Sequence, residues 1–176
     1  MFETEQKQVE LKKMINGPLK WTSETPNLYT LKMQLLSESG VIQDQAEQRI
    51  GFRETLIRGD IFLLNGVPLK VNAFNSHMQD ANTGHTITEE VIRKDFEILK
   101  QFNFNAVRTS HYPPVNKYLD LADEYGIFII DEAGVEAHAT EGVSNLPEFT
   151  EMYRERVRQM VLRDRNHACV LFWSAG

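Results

Sequence analysis

Cysteine is the scarcest chemistry-bearing residue here: one in 176 positions, Cys169. A single thiol excludes an internal disulfide and a cysteine-rich zinc site. It lies in the apolar run from Ala168 to Trp173, which marks it as a buried, inert side chain. No apolar run approaches the length of a membrane span. The first eight residues, Met1 to Gln8, contain no apolar signal-peptide core, which points to a cytoplasmic protein. Positive charge is in deficit, with 19 Lys and Arg against 25 Asp and Glu, a formal net charge of −6. That balance argues against nucleic acid or an anionic membrane as partner. No His-x-His pair or metal-bridging lysine motif appears, which argues against a barrel metallohydrolase built on His77, His111, Glu136 and His138.

What is present changes style once along the chain. Residues 1 to 20 are polar and irregular. Leu31, Met33 and Leu35 alternate with Thr30, Lys32 and Gln34, the period of a half-buried strand. Ser37 to Gly40 is turn chemistry, and Val41 to Ile50 can pair back as a second strand. Two or three strands cannot bury a core alone, so residues 1–50 read as the end of a β-sandwich whose earlier strands lie elsewhere. From Gly51 onward the pattern is different. Asn65-Gly66 suits a tight hairpin turn, and the run from Val67 to Phe74 reads as a strand. Thr88 can cap a helix with Glu89 and Glu90 in its first turn and Ile92, Phe96 and Leu99 on one face.

The densest stretch runs from Asn105 to Glu136. A short apolar strand delivers Arg108, Ser110, His111 and Tyr112. Pro113 and Pro114 open a helix that Gly126 closes, and Ile127 to Ile130 form a second buried strand that ends in Asp131 and Glu132. Twice in about thirty residues a strand carries polar groups at its C-terminal end, where α/β barrels place their chemistry. Pro147 opens a long helix with Phe149, Tyr153, Val157 and Met160 on its apolar face, and a last strand covers 168–173. The interleaved acids and arginines of that helix mark a solvated face rather than a nucleic-acid surface. Residues 67–176 therefore predict four parallel strands near 69–74, 106–110, 127–131 and 169–173, with helices near 89–102, 114–125 and 147–165. That order covers half of an eight-stranded (β/α) barrel.

Three stretches resemble glycoside hydrolase family 2, and within it the bacterial β-galactosidases. Asn105-Ala-Val-Arg-Thr-Ser-His-Tyr-Pro113, with Asp123 and Gly126, is similar to the family's first signature. Asp131-Glu-Ala-Gly-Val-Glu-Ala-His138 resembles the segment usually written DEANIETH. Asp164-Arg-Asn-His-Ala-Cys-Val-Leu-Phe-Trp-Ser-Ala-Gly176 is similar to the second signature, which in the family continues into Asn-Glu. The segments from Trp21 to Tyr29 and from Gly51 to Glu54 resemble the passage from sandwich to barrel.

The resemblance implies an α/β fold: the end of an immunoglobulin-like domain over 1–50, then the N-terminal half of a TIM-barrel catalytic domain over 51–176. It implies retaining hydrolysis of terminal β-galactosides, with β-glucuronidase, another family 2 β-glycosidase or a non-catalytic sugar-binding or complementing module as alternatives. Retaining hydrolysis needs two carboxylates about 5 Å apart. The family pattern puts the acid/base glutamate two residues after Gly176 and the nucleophile much further on, so the 176-residue chain is expected to be inactive alone. Its partners would be the sugar, the remainder of the barrel and, for the whole protein, further copies of itself.

The resemblance also assigns roles. Arg108 would hold a catalytic carboxylate ionised, and His111 would contact the sugar and stabilise the transition state. Asn75 and His77 would line the substrate side, in a loop where Ser76 and Met78 replace the usual Arg and Glu. Glu136 and His138 would be two ligands of a catalytic Mg²⁺, with Gly134 and Ala139 departing from the usual Asn and Gly. Asp131 and Glu132 are left open between site acids and structural acids that bond arginines inside the barrel.

Overall fold

The computed structural model describes residues 10–136 and 138–176. The polar start from Met1 to Gln8 lies outside the described residues.

The first unit is a two-stranded antiparallel hairpin, β1 (Tyr29–Leu36) with β2 (Ile42–Ile50). Its turn uses Gly40 at φ +80°, and the Ser37 N–H donates to the Val41 carbonyl at 2.8 Å. Leu31, Met33 and Leu35 alternate as predicted, yet all three are exposed, because no second sheet covers them among the described residues. The hairpin is tied to the rest through the Arg49–Glu124 ion pair and an edge-on contact of Tyr29 with Phe52, 5.2 Å between centroids.

A three-stranded antiparallel sheet follows: β3 (Thr55–Arg58), β4 (Ile61–Leu64) and β5 (Val67–Pro68). Asn65 and Gly66 turn at φ +52° and +84°, the left-handed pair that such a tight hairpin demands. This corrects the strand expected over 69–74. Val67 and Pro68 pair back onto Leu64 and Leu63, and the Leu69 N–H still donates to the Phe62 carbonyl. The first barrel strand begins only afterwards, as β6 (Ala73–Ser76).

The main sheet is wholly parallel, ordered β6-β7-β8-β9, with β7 at Ala106–Thr109, β8 at Phe128–Glu132 and β9 at Val170–Ser174. The crossovers are α1 (Glu89–Gln101), α2 (Asn116–Tyr125) and α3 (Thr150–Asp164). Thr88 caps α1, its hydroxyl accepting the Val91 N–H at 3.4 Å. The two prolines expected to open α2 precede it, and Val115 occupies the cap position. Gly126 ends α2 at φ +67°, and a Cβ there would run into the Ser23 carbonyl. Pro147 opens a short 3-10 turn, Pro147–Phe149, before α3.

The core lies between this sheet and its helices. Ile92, Phe96 and Leu99 of α1 and Leu119, Leu121 and Ala122 of α2 pack against Val107, Phe128 and Ile129. Trp21 closes it from below, fully buried, edge-on to Phe128 at 5.4 Å, its indole N–H donating to the Asp123 carbonyl at 2.9 Å. No described helix is long and apolar enough to cross a membrane.

Candidate active site

Parallel strands alternate their side chains between the inner face and the helical layer. Along the C-terminal ends this brings Asn75 from β6, Arg108 from β7, Glu132 from β8 and Ser174 from β9 to one place. Glu132 is the centre. It is fully buried and accepts four side-chain hydrogen bonds: from Arg108 Nε at 2.6 Å and Nη2 at 2.8 Å, His111 Nδ1 at 2.7 Å and Ser174 Oγ at 2.7 Å. Its own backbone N–H donates to Thr109 Oγ1 at 3.1 Å. Burial works against the charged carboxylate, but the Ser174, His111 and Arg108 bonds outweigh it and hold Glu132 below the usual carboxylate range.

An ionised Glu132 only accepts, so Nδ1 of His111 carries the proton of their shared bond. That leaves Nε2 of His111 to face outward. The Arg108 and His111 side chains are about one-third exposed, so both reach from the buried carboxylate to open space. Arg108 also donates to Asn75 Oδ1 at 3.4 Å.

His77 stands over this cluster, its ring edge-on to His111 with centroids 5.7 Å apart. Tyr112 fixes the loop that carries it. The Tyr112 hydroxyl accepts the Met78 N–H at 3.2 Å and lies 3.4 Å from His77 Nδ1. Met78, at the position where the resemblance calls for Glu, turns into the core and is buried.

Glu136 and His138 form a separate pair beyond β8. Glu136 Oε1 accepts from the backbone N–H of His138 at 3.0 Å and lies 2.7 Å from its Nδ1. His138 is almost fully exposed and Glu136 one-third exposed. The backbone at Gly176 approaches the same loop, and a Cβ there would lie 3.3 Å from Val135 Cβ. Six predicted residues thus stand at the strand ends in two groups: Asn75, His77, Arg108 and His111 around Glu132, and Glu136 with His138.

The partner of Arg108 lies within the chain. Of the two acids left open, Glu132 bonds the arginine and Asp131 does not, because neighbours in a strand face opposite ways. The sequence leaves Glu132 open and assigns no role to Ser174. Only strand parity could have separated Glu132 from Asp131, and β8 itself is short.

A second polar cluster occupies the opposite ends of the strands. Asp123 Oδ1 accepts the Cys169 N–H at 2.7 Å, Oδ2 lies 2.7 Å from His167 Nδ1, and the Cys169 thiol donates to the Leu119 carbonyl at 3.6 Å. The potential metal-ligating atoms of these three residues lie within 4.8 Å of one another. Each is already engaged, and burial holds the Cys169 thiol well above its ordinary range. The cluster is a tether of β9 to α2.

Known proteins share these features. The family model for glycosyl hydrolases family 2, TIM barrel domain, matches residues 55–176, and the model for glycosyl hydrolases family 2 matches residues 1–53. A β-galactosidase of Vibrio vulnificus is 43% identical over 165 residues, 92% of this chain and 16% of that protein. A β-galactosidase of Lactococcus lactis is 38% identical over 163 residues, 91% of this chain and 16% of that protein. Among solved structures, a Bifidobacterium dentium β-glucuronidase bound to coumarin-3-O-glucuronide superposes with a TM-score of 0.82 at 33% identity, covering 89% of this chain and 25% of that one. The parallel half-barrel, the strand-end signatures and these matches agree: the chain belongs to glycoside hydrolase family 2, joining the end of its immunoglobulin-like domain to the first half of its TIM barrel.

Proposed function

We propose that these residues supply the supporting half of the active site of a retaining β-glycosidase that acts on terminal β-galactosides. The observation that carries the reading is the Glu132 cluster, which fixes Arg108 and His111 at the strand ends with their functional faces open. His111 Nε2 and the ring of His77 are placed to bond sugar hydroxyls, and Asn75 lines the same side. Arg108 presents its remaining N–H groups to a second carboxylate, which favours that group's charged form. Catalysis needs a proton donor beside the glycosidic oxygen and a nucleophilic carboxylate on the opposite ring face. In the family pattern the proton donor follows the second signature and the nucleophile lies much further along.

Glu136 and His138 fit a hydrated Mg²⁺ as a partial shell. Magnesium keeps several waters and is held by one or two carboxylates, and Glu136 offers one beside an imidazole. Bound there, the ion would supply positive charge next to the reacting groups.

A β-glucuronidase is the second reading, favoured by the superposition on solved β-glucuronidases. Sequence identity supports the galactoside. The sequence relatives at 37–43% identity are β-galactosidases, whereas the superposed glucuronidases are 29–33% identical.

The test is a chimera in which residues 55–176 replace the matching segment of the V. vulnificus β-galactosidase, assayed with aryl β-galactoside and aryl β-glucuronide. Galactoside turnover is expected, lost on His111→Ala. A folded chimera that hydrolyses only the glucuronide, or neither substrate, overturns the reading.

A further inference from the structure

Asp131 sits next to Glu132 in β8 but faces the helical layer, and among the described residues it is the buried carboxyl left without a hydrogen-bond partner. It is 0% exposed, and neither carboxyl oxygen has a hydrogen-bond donor. An isolated ionised carboxylate in that position is too costly to persist, so the group must be neutral or compensated. Its neighbours show which. From α3, Asp164 lies beside it, 1% exposed, and Arg163 lies close enough to interact. The guanidinium is already spent: Nε and Nη2 of Arg163 donate to the two oxygens of Asp164 at 2.6 and 2.7 Å, and Nη2 also donates to the Pro114 carbonyl at 2.9 Å. From β7 the neighbour is Thr109, whose hydroxyl accepts the Glu132 N–H and donates to the Ile130 carbonyl. From the turn after α3, His167 faces Asp164 more distantly and pairs with Asp123. Two buried carboxyls therefore face one arginine, whose side chain reaches from them to the surface.

We propose that Asp131 and Asp164 hold one proton between them, forming a carboxylic acid–carboxylate pair that ties β8 to α3. With one proton the three groups sum to zero: a neutral Asp131, an anionic Asp164 and a cationic Arg163. Without it, two anions face one cation, on the strand that carries Glu132. Burial and then the Asp164 carboxylate push Asp131 up from 3.8 to about 8. The folded state thus keeps a proton that the unfolded chain releases, so stability falls as pH rises from 3.8 to about 8 and levels off above. The contact works at neutral pH and fails in mild alkali.

The test uses the intact chain labelled with ¹³C at aspartate carboxyls, with Asp131→Asn assigning the signal. The Asn amide can donate to Asp164 without needing the proton. The Asp131 signal should titrate near 8, and the unfolding equilibrium constant of the native chain should rise about tenfold per pH unit relative to Asp131→Asn within the window. A midpoint in the ordinary carboxylate range, or parallel pH dependence of the two proteins, overturns the proposal. Asp164→Asn separates a shared proton from burial alone. With the anion gone and Arg163 freed, the Asp131 midpoint should fall by more than one unit, whereas an unchanged midpoint overturns the pairing. If Asp164→Asn does not fold, the Asp131→Asn comparison still decides.

Discussion

Glu132 and Asp123 are both buried carboxylates with both oxygens engaged, placed at opposite ends of the same sheet. Their partners differ. Asp123 is satisfied by groups that go no further: a backbone N–H, the half-buried His167 and, through its own carbonyl, the indole of Trp21. Glu132 is satisfied by Arg108 and His111, whose far sides are open. One end of the sheet spends its charge on joining β9 to α2. The other spends it on aiming two side chains outward. A buried acid says little by itself; the exposure of its partners separates a tether from a site.

Substitutions at each end should therefore fail differently. Trp21→Ala opens a large cavity under the sheet and removes an indole hydrogen bond, so it should cost about 3–5 kcal/mol in denaturant unfolding. Glu132→Gln should cost about 2–3 kcal/mol, because it leaves a guanidinium without its charge partner in a half-buried place. Its diagnostic outcome is different: in a longer chimera that carries residues 20–176, it should lower turnover more than Trp21→Ala does at matched folded fraction. Equal effects on turnover would erase the distinction between the two ends.

Acidity offers a finer probe of the lower end. Although burial opposes its charged form, Asp123 raises His167 above its ordinary 6.5. The folded state then holds the imidazolium more tightly than the unfolded chain does. The pair's contribution is complete below pH 6.5 and is lost as pH rises through the higher folded value. His167→Gln should abolish that slope and leave the loss assigned to Asp131, which runs up to pH about 8 and then levels off, and chemical denaturation from pH 5 to 9 can resolve the two. The smallest effect expected is that of Tyr112→Phe, about 1 kcal/mol or less, since one hydroxyl contact to a loop is lost. Its mark should be a raised KM in the chimera with kcat little changed, through a loosened His77.

The parallel half-barrel was legible because short apolar runs such as 127–130 alternate with helical stretches, and crossovers impose parallel pairing. Gly126 and Thr88 marked helix ends through local chemistry. The misplaced first strand shows where that reading stops. Val67, Leu69 and Val71 alternate as a strand would, but Val67 and Pro68 are taken by β4 through a turn that also leaves Leu69 bonded to Phe62. Arg108 and His111 could be named from their motif, whereas their shared acid could not. Asp131 and Glu132 differ in sequence by one methylene and in the fold by the side of the strand they occupy. Asp123 and His167 lie 44 residues apart, and no local pattern joins them.

Arg53 has a consequence for assembly. β9 is an outer strand of the parallel sheet, and the carbonyl of Cys169, just before it, accepts from the Ile129 N–H of β8. The carbonyls of Ala168 and Val170 therefore point the other way, toward the free edge, and Arg53 donates to both. A side chain from the segment between hairpin and barrel thus occupies the first two acceptors that an incoming strand would use. Pairing on this edge, whether by a further strand or by a second copy in an aggregate, has to begin at or beyond Phe172. The arginine sets the starting register for growth of the sheet and blunts the stretch most open to misjoining.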